Sequence, residues 1–316
     1  MYIMKKIKSS LILIFIFFIL SGFFIFPLRP VALVKARQMP FYDLKPEYLV
    51  LRAQFHTSYS TSTSERKNNI GIAAKSLNNT FIDVGAEFSF NRTVGERSVK
   101  RGYKAAKIIV GGKFVDGVGG GVCQVSTTLY NAALLSGMDI TEFHSHSLPV
   151  SYVAPSFDAM VNSSSADLRF VNNTHNPVII KTKADGEVLT VSLYGEPMNE
   201  NYSRKSVIKE YIPAPEPQKI LAKEGEFPDL FEGETKVISY GKQGLKSEGY
   251  LITIKNGIVL SQKKIRNDRY NPMQGVIVAG CEKNPGKESV SDDAAAERET
   301  VDGWLQSSSG NICFDP

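Results

Sequence analysis

Residues 117–137 read GVGGGVCQVSTTLYNAALLSG, and the change of pattern inside this stretch sets the fold. Gly119, Gly120 and Gly121 break regular structure, after which Val122, Val125, Leu129, Ala132 and Ala133 fall on one helical stripe that Gly137 closes. Upstream, the stretches 81–90, 105–110 and 113–118 read as short β elements separated by turns. Residues 68–79, NNIGIAAKSLNN, place Ile72, Ala73, Ser76 and Leu77 on one face of a short helix stopped by Asn78 and Asn79. Downstream, the runs SLPVSYV, DLRFV, PVIIKT and VLTVSLY are alternating or β-branched and are separated by Asn-Pro and Asp-Gly turns, so they read as strands. The expected class is α+β: a mixed domain with a buried or semi-buried helix starting at the cysteine, then an elongated all-β module.

That module spans 207–281, where KVISY, GYLITI, GIVLSQKKI and GVIVAG are punctuated by Gly233, Gly241, Gly244, Gly249, Gly257 and Gly275. Residues 57–198 form the first domain, with a connector at 38–56 and a polar linker at 199–206. Residues 282–316 carry three basic and eight acidic groups with few apolar ones, the composition of a disordered acidic tail. At the other end, Lys5, Lys6 and Lys8 precede SSLILIFIFFILSGFFIFPL, 20 residues without a charge. Such a run is long enough for a membrane helix, and no clean small-x-small cleavage site follows it. Residues 1–37 are therefore expected to be a cytoplasmic tail and signal anchor, giving a single-pass membrane protein whose folded domains lie outside.

The chain has 316 residues, 42% hydrophobic and 22% charged, which excludes a wholly disordered protein. Its net charge of +5 is misleading, because six lysines and arginines lie in the first 37 residues. Without them, 31 basic face 32 acidic groups, and a nearly neutral body argues against a nucleic-acid partner. The three cysteines form neither a disulfide framework nor a metal knuckle.

Cys123 follows three glycines at the start of a helix, where free N–H groups and the positive end of the helix dipole favour a thiolate. Glycines also let a substrate carbonyl approach the backbone, so Gly120, Gly121 and the Cys123 amide are candidate oxyanion donors. Taken alone, a free cysteine is more often simply a small buried residue. His56, His144, His146 and His175 are the available bases. His144 and His146 lie two apart and would share a strand face; with Cys123 they would make a three-ligand zinc set, discounted because no nearby carboxylate has a recognised spacing. Asp158 and Asp167 are both candidates to orient an imidazole, and spacing does not choose between them. No cofactor is indicated.

The segments FSFNRTVGERSVKRGYKAAKIIVGGK, GVGGGVCQVSTTLYNAALLSGMDI, HSHSLPVSYV, FDAMV and DLRFVNNT resemble the VanW domain of Gram-positive surface proteins over about residues 50 to 196. The glycine-spaced module after it is similar to the five-glycine domain that adjoins cell-wall-acting modules. The resemblance implies work on peptidoglycan, with stem peptides and glycan strands as partners, in a family associated with glycopeptide resistance. It further implies a cysteine-dependent L,D-transpeptidase that cross-links stems 3→3, with Cys123 as nucleophile and His146 as its histidine. Arg97 in VGER is then a candidate for binding a stem carboxylate and Asn91 in FSFN for orienting a catalytic group, while Ser126, Thr127 and His144 are near enough to contact substrate. Exposed ion-pairing, turn formation and helix packing are the competing uses of these residues. Two positions depart from the family pattern: Ser156 where glycine is usual and Phe143 where arginine is common. A non-catalytic wall-binding protein and a cysteine peptidase on stem peptides are the alternative functions.

Overall fold

A computed structural model of the chain describes residues 37–38, 50–223 and 225–281. They divide into two compact units, one within Met1–Pro217 and Tyr240–Gly275, the other within Gln218–Ser239 and Val276–Pro316.

The first unit contains β1 (Arg37–Gln38), β2 (Val50–Ser58), α1 (Ser64–Leu77), β3 (Thr80–Ile82), β4 (Glu87–Ser89), α2 (Phe90–Val94), β5 (Ala105–Val110) and β6 (Lys113–Val118). It continues through α3 (Val122–Leu135), β7 (Asp139–Glu142), β8 (Arg169–Val171), β9 (Val178–Ala184), β10 (Val188–Gly195) and β11 (Asn201–Ile212). After β12 (Gln218–Leu221) and β13 (Thr235–Ser239) in the second unit, the chain returns as β14 (Gly244–Lys255) and β15 (Ile258–Tyr270), then ends its described part with β16 (Val276–Ala279).

An antiparallel sheet in the order β1-β3-β9-β10-β2 forms the base of the first unit. Helix α3 packs on β2 and β10 and helix α1 on β9, enclosing a core that includes Ile70, Leu77, Val125, Leu129, Ile180, Val191 and Leu193. The alternating strand pattern puts one face of the sheet into this core. In α3 the polar positions between the apolar ones are buried as well, and each finds a partner. Thr128 Oγ1 donates to the Gln124 carbonyl at 2.7 Å, Asn131 Nδ2 to the Phe157 carbonyl at 2.8 Å and Ser126 Oγ to the Ala159 carbonyl at 2.6 Å.

Helix α1 starts earlier than 68 and turns a different face inward. Thr63 caps it, accepting from the Arg66 amide at 3.4 Å, and Asn69, Ile70, Ala73, Ala74 and Leu77 are buried. The expected face of Ile72, Ala73, Ser76 and Leu77 missed Asn69 because an amide side chain reads as polar surface. Its carboxamide instead spans the Lys104 amide, at 2.8 Å, and the Lys104 and Gly120 carbonyls, both at 2.9 Å.

The expected α+β class does not hold. Strands account for 45% and helices for 16%, so the fold is mostly β. Among the described residues the β-branched runs pair into five small sheets while α-helix is limited to α1, α2 and α3. The expected anchor and the single-pass membrane location are also corrected: among the described residues no helix is long and apolar enough to cross a membrane, and the run at 9–28 lies outside them. The acidic tail at 282–316 lies outside them too.

Strands β11, β14 and β15 form a long antiparallel ribbon in the order β11-β14-β15. Within the first unit it is joined to the core by Leu251 and Ile265, which pack against it, and by Arg204, whose guanidinium lies 4.3 Å from the Phe55 ring centre and 4.7 Å from that of Phe157. The second unit has its own sheet, β12-β16-β13, with β12 parallel and β13 antiparallel to β16. Its small core is Ala222, Leu230 and Val278, with Phe227 and the free thiol of Cys281 beside it. Cys313 lies outside the described residues.

Candidate active site

Gly121 enters α3 with φ +107°, a left-handed conformation that side-chain-bearing residues resist. A Cβ there would also sit 3.0 Å from Arg66 Cγ and Ile70 Cγ1; one on Gly120 would sit 2.8 Å from the Ala106 backbone. This close packing delivers the first turn of α3 to the wall of a cleft of about 1010 Å³. The Val122 and Gln124 amides bond the Gly119 and Gly121 carbonyls at 3.1 and 3.0 Å, whereas the Cys123 amide has no partner among the described residues.

Cys123 is partly exposed on the cleft, and its thiol is 3.3 Å from the Val161 carbonyl. His146 is buried but for 6% of its surface and lines the same cleft. Its Nδ1 and its own backbone N–H both contact Asp158 Oδ2 at 2.7 Å, and the imidazole and the Cys123 thiol shift each other's titration. With Nδ1 committed to the carboxylate, Nε2 is the nitrogen that serves the sulfur. Burial pushes the Cys123 thiol up, but the hydrogen bond and charge of His146, a backbone hydrogen bond at Val161 and the charge of Arg97 together bring it below the usual thiol range. Burial pushes His146 down, yet its bonds to Asp158 and Cys123 raise it to about 9. Asp158 resists burial and is held below the usual carboxylate range by His146, Arg266 and Tyr270. All three shifts favour one state: the proton on imidazole, the sulfur anionic and the carboxylate charged.

Two residues of the ribbon complete Asp158. Tyr270 donates its phenol proton to Oδ1 at 2.5 Å, and Arg266 Nη2 lies 3.4 Å from the same oxygen while Nη1 bonds the Asp158 carbonyl. Arg266 is itself fixed by Asp268, at 2.9 and 3.0 Å, and lies 4.7 Å over the Phe143 ring. Ser156, where glycine was expected, adopts φ +65°; its amide bonds Tyr270 at 2.8 Å and its hydroxyl bonds Ser247 at 2.7 Å.

Not every candidate reaches the cleft. Asp167 accepts from Ser89 Oγ at 2.6 Å, the Asn91 amide at 2.8 Å and Arg169 Nε at 3.1 Å, capping α2 with no contact to an imidazole. His144 points its Nε2 at Glu142, 2.9 Å away. Ser126 and Thr127 are buried and hold the Ala159 backbone, whose amide donates to Thr127 Oγ1 at 2.9 Å. Gly120 is buried behind the turn, whereas Gly121 lines the cleft. Asn91 donates to the Asn162 and Ala166 carbonyls, both at 2.9 Å, and accepts from Arg97 Nη2 at 2.6 Å, so it orients Arg97, which does line the cleft. Among the described residues no cluster of three or more His, Cys, Asp or Glu side chains suits a metal ion. Arg66 and Tyr152, which line the cleft, and Arg266 and Tyr270 escaped the sequence reading; Arg66 reads as a solvated helix arginine and the last two as part of a separate module.

A glycine turn at a helix start, a thiol, an imidazole and a carboxylate that holds the imidazole thus share one cleft region on a mostly β scaffold. Residues 65–194 match the family model described as VanW like protein, and residues 205–282 match the G5 domain. The chain carries a VanW-like domain followed by a G5 domain. It is 40% identical to the "Uncharacterized protein YoaR" of Bacillus subtilis over 48% of this chain and 50% of that one. It is 29% identical to the "Vancomycin B-type resistance protein VanW" of Enterococcus faecalis over 40% of this chain and 48% of that one, so it spans about half the length of these relatives. Two solved structures are also similar over about a quarter of the chain. An IgA1 protease G5 domain is 24% identical with a TM-score of 0.18, covering 27% of this chain and 92% of that one. HP0197-G5 is 19% identical with a TM-score of 0.15, covering 26% of this chain and all of the other.

Proposed function

We propose that the chain is a cysteine-dependent acyltransferase of peptidoglycan stem peptides, an L,D-transpeptidase, with the G5 part contributing contact with glycan strands. The observation that carries this reading is Cys123 on the wall of a cleft that His146 also lines, with His146 Nδ1 held by Asp158. The Cys123 thiolate attacks the carbonyl joining the L-centre of the third stem residue to a terminal D-Ala. The resulting oxyanion lies beside the Cys123 amide and the positive end of α3. Collapse expels D-Ala as an amine that takes the proton from His146 Nε2, leaving a thioester. The side-chain amine of a second stem then adds, gives its proton back to His146 and releases the thiolate. The likeness to a protein named for vancomycin resistance supports a wall substrate.

The test is mass spectrometry of defined tetrapeptide-containing muropeptides incubated with the protein. Wild type is expected to form 3→3 dimers and release D-Ala, and Cys123→Ala is expected to form none. Equal product from the two rejects the reading, and release of D-Ala without dimers identifies a peptidase instead.

A further inference from the structure

Thirty residues line the cleft and none is an Asp or a Glu, whereas Arg66, Arg97, Lys107, Lys242 and Arg269 all do. Arg66 and Arg97 stand apart from the other three because their stems pack on the glycine turn that presents Cys123. Positions for a Cβ on Gly119 and Gly121 lie 3.1 Å from Arg97 Cβ and 3.0 Å from Arg66 Cγ, so the two arginine stems flank the nucleophile's turn and both side chains line the cleft. Both are half-buried. Among the described residues neither has a carboxylate within salt-bridge distance, although proteins usually pair a charge withdrawn from water. Each is held only by neutral groups. Arg66 donates to Ser62 Oγ and Gln124 Oε1, both at 2.7 Å, and Gln124 is in turn fixed by Nε2 on Thr57 Oγ1 at 3.0 Å and the Ser58 carbonyl at 2.8 Å. Arg97 donates to Asn91 Oδ1 at 2.6 Å. A guanidinium has five N–H donors, so both side chains are oriented while keeping donors for a ligand.

We propose that Arg66 and Arg97 form a two-guanidinium receptor for a ligand carboxylate beside Cys123, so that the cleft selects peptides with a free carboxylate next to the carbonyl under attack. This deepens the acyl-transfer reading and shares with it the nucleophilic Cys123, but its test needs no turnover. Full-length protein is alkylated at Cys123 with iodoacetate and, separately, with iodoacetamide, and the ratio of rate constants is taken. The neutral reagent reports how much thiolate is present, so the ratio isolates recognition of the anion. Wild type is expected to prefer iodoacetate relative to a free thiol, and Arg66→Gln or Arg97→Gln to lower the ratio by about tenfold each. A wild-type ratio no higher than that of free cysteine, or one unchanged in the double variant, overturns the receptor. Competition on the unaltered protein decides the matter if the variants fail to fold. N-acetyl-D-alanine is expected to slow iodoacetamide while its neutral amide does not, and equal protection by both refutes the proposal. A strong iodoacetate preference without muropeptide products rejects the transferase and keeps the receptor, whereas failure of either reagent to modify Cys123 rejects both.

Discussion

Tyr270 donates its phenol proton to Asp158 Oδ1 at 2.5 Å, joining residues 112 positions apart. The carboxylate that orients His146 is thus itself oriented from the ribbon, on the oxygen opposite the one that faces the imidazole. Removing this proton donor leaves a charge in a place where burial already works against it.

Tyr270→Phe keeps the ring and deletes one hydrogen bond to a charged group, worth about 1.5–3 kcal/mol. The iodoacetamide rate of Cys123 near neutral pH is expected to fall by roughly tenfold or more, with its pH profile displaced upward as the thiolate loses support. An unchanged profile would reduce Tyr270 to a packing residue.

The ion pair predicts a bell-shaped pH dependence for dimer formation. Activity rises as Cys123 ionises, below the usual thiol range, and falls as His146 loses its proton at about 9. Asp158→Asn removes the charge that supports the imidazolium, so the alkaline limb is expected to move down. For stability, the raised His146 contributes fully below its unfolded value of about 6.5 and loses that contribution as pH rises through about 9. The depressed Cys123 contributes above its unfolded value of about 8.5 and loses it as pH falls through the lower folded value. The two slopes oppose each other and cancel wherever the folded pair and the unfolded pair each hold one proton. Chemical denaturation across this range is expected to show a plateau with decline on both sides, which Cys123→Ala would remove.

Gly121→Ala meets both a left-handed backbone and two neighbours at 3.0 Å. A loss of about 1–3 kcal/mol is expected from the backbone alone, measured as a lower midpoint in urea, with Cys123 alkylation slowed because the helix start shifts.

Ser156 separates backbone strain from hydrogen bonding. Ser156→Gly relieves φ +65° but deletes the 2.7 Å bond to Ser247, so its effect on stability should be small. Ser156→Ala deletes the bond and keeps the strain, costing about 1–3 kcal/mol for a buried unsatisfied hydroxyl. Equal denaturation midpoints for the two variants would contradict this assignment.

Local signals were the legible ones. A glycine run before an apolar stripe announces the start of α3 and puts Cys123 in its first turn. Pairings at long range were not legible: spacing left Asp158 and Asp167 equivalent, and only the folded loop gives one to His146 and the other to Ser89 and Arg169. Arg66 and Asn69 share the helix α1, where polar residues read as solvated surface, yet one lines the cleft and the other is fully buried. The run Asp139–Glu142 carries little periodicity of its own and does not read as a strand, yet as β7 it pairs with β8, whose run DLRFV does.

The two family matches meet between residues 194 and 205, far from Tyr270 and Arg266 in sequence. A recombination event at that seam would transplant the sulfur, the imidazole and the carboxylate together yet strip the last of its phenol and guanidinium. The heritable site is therefore larger than either named domain, and a chimera spliced there should arrive with an intact signature and a slack carboxylate.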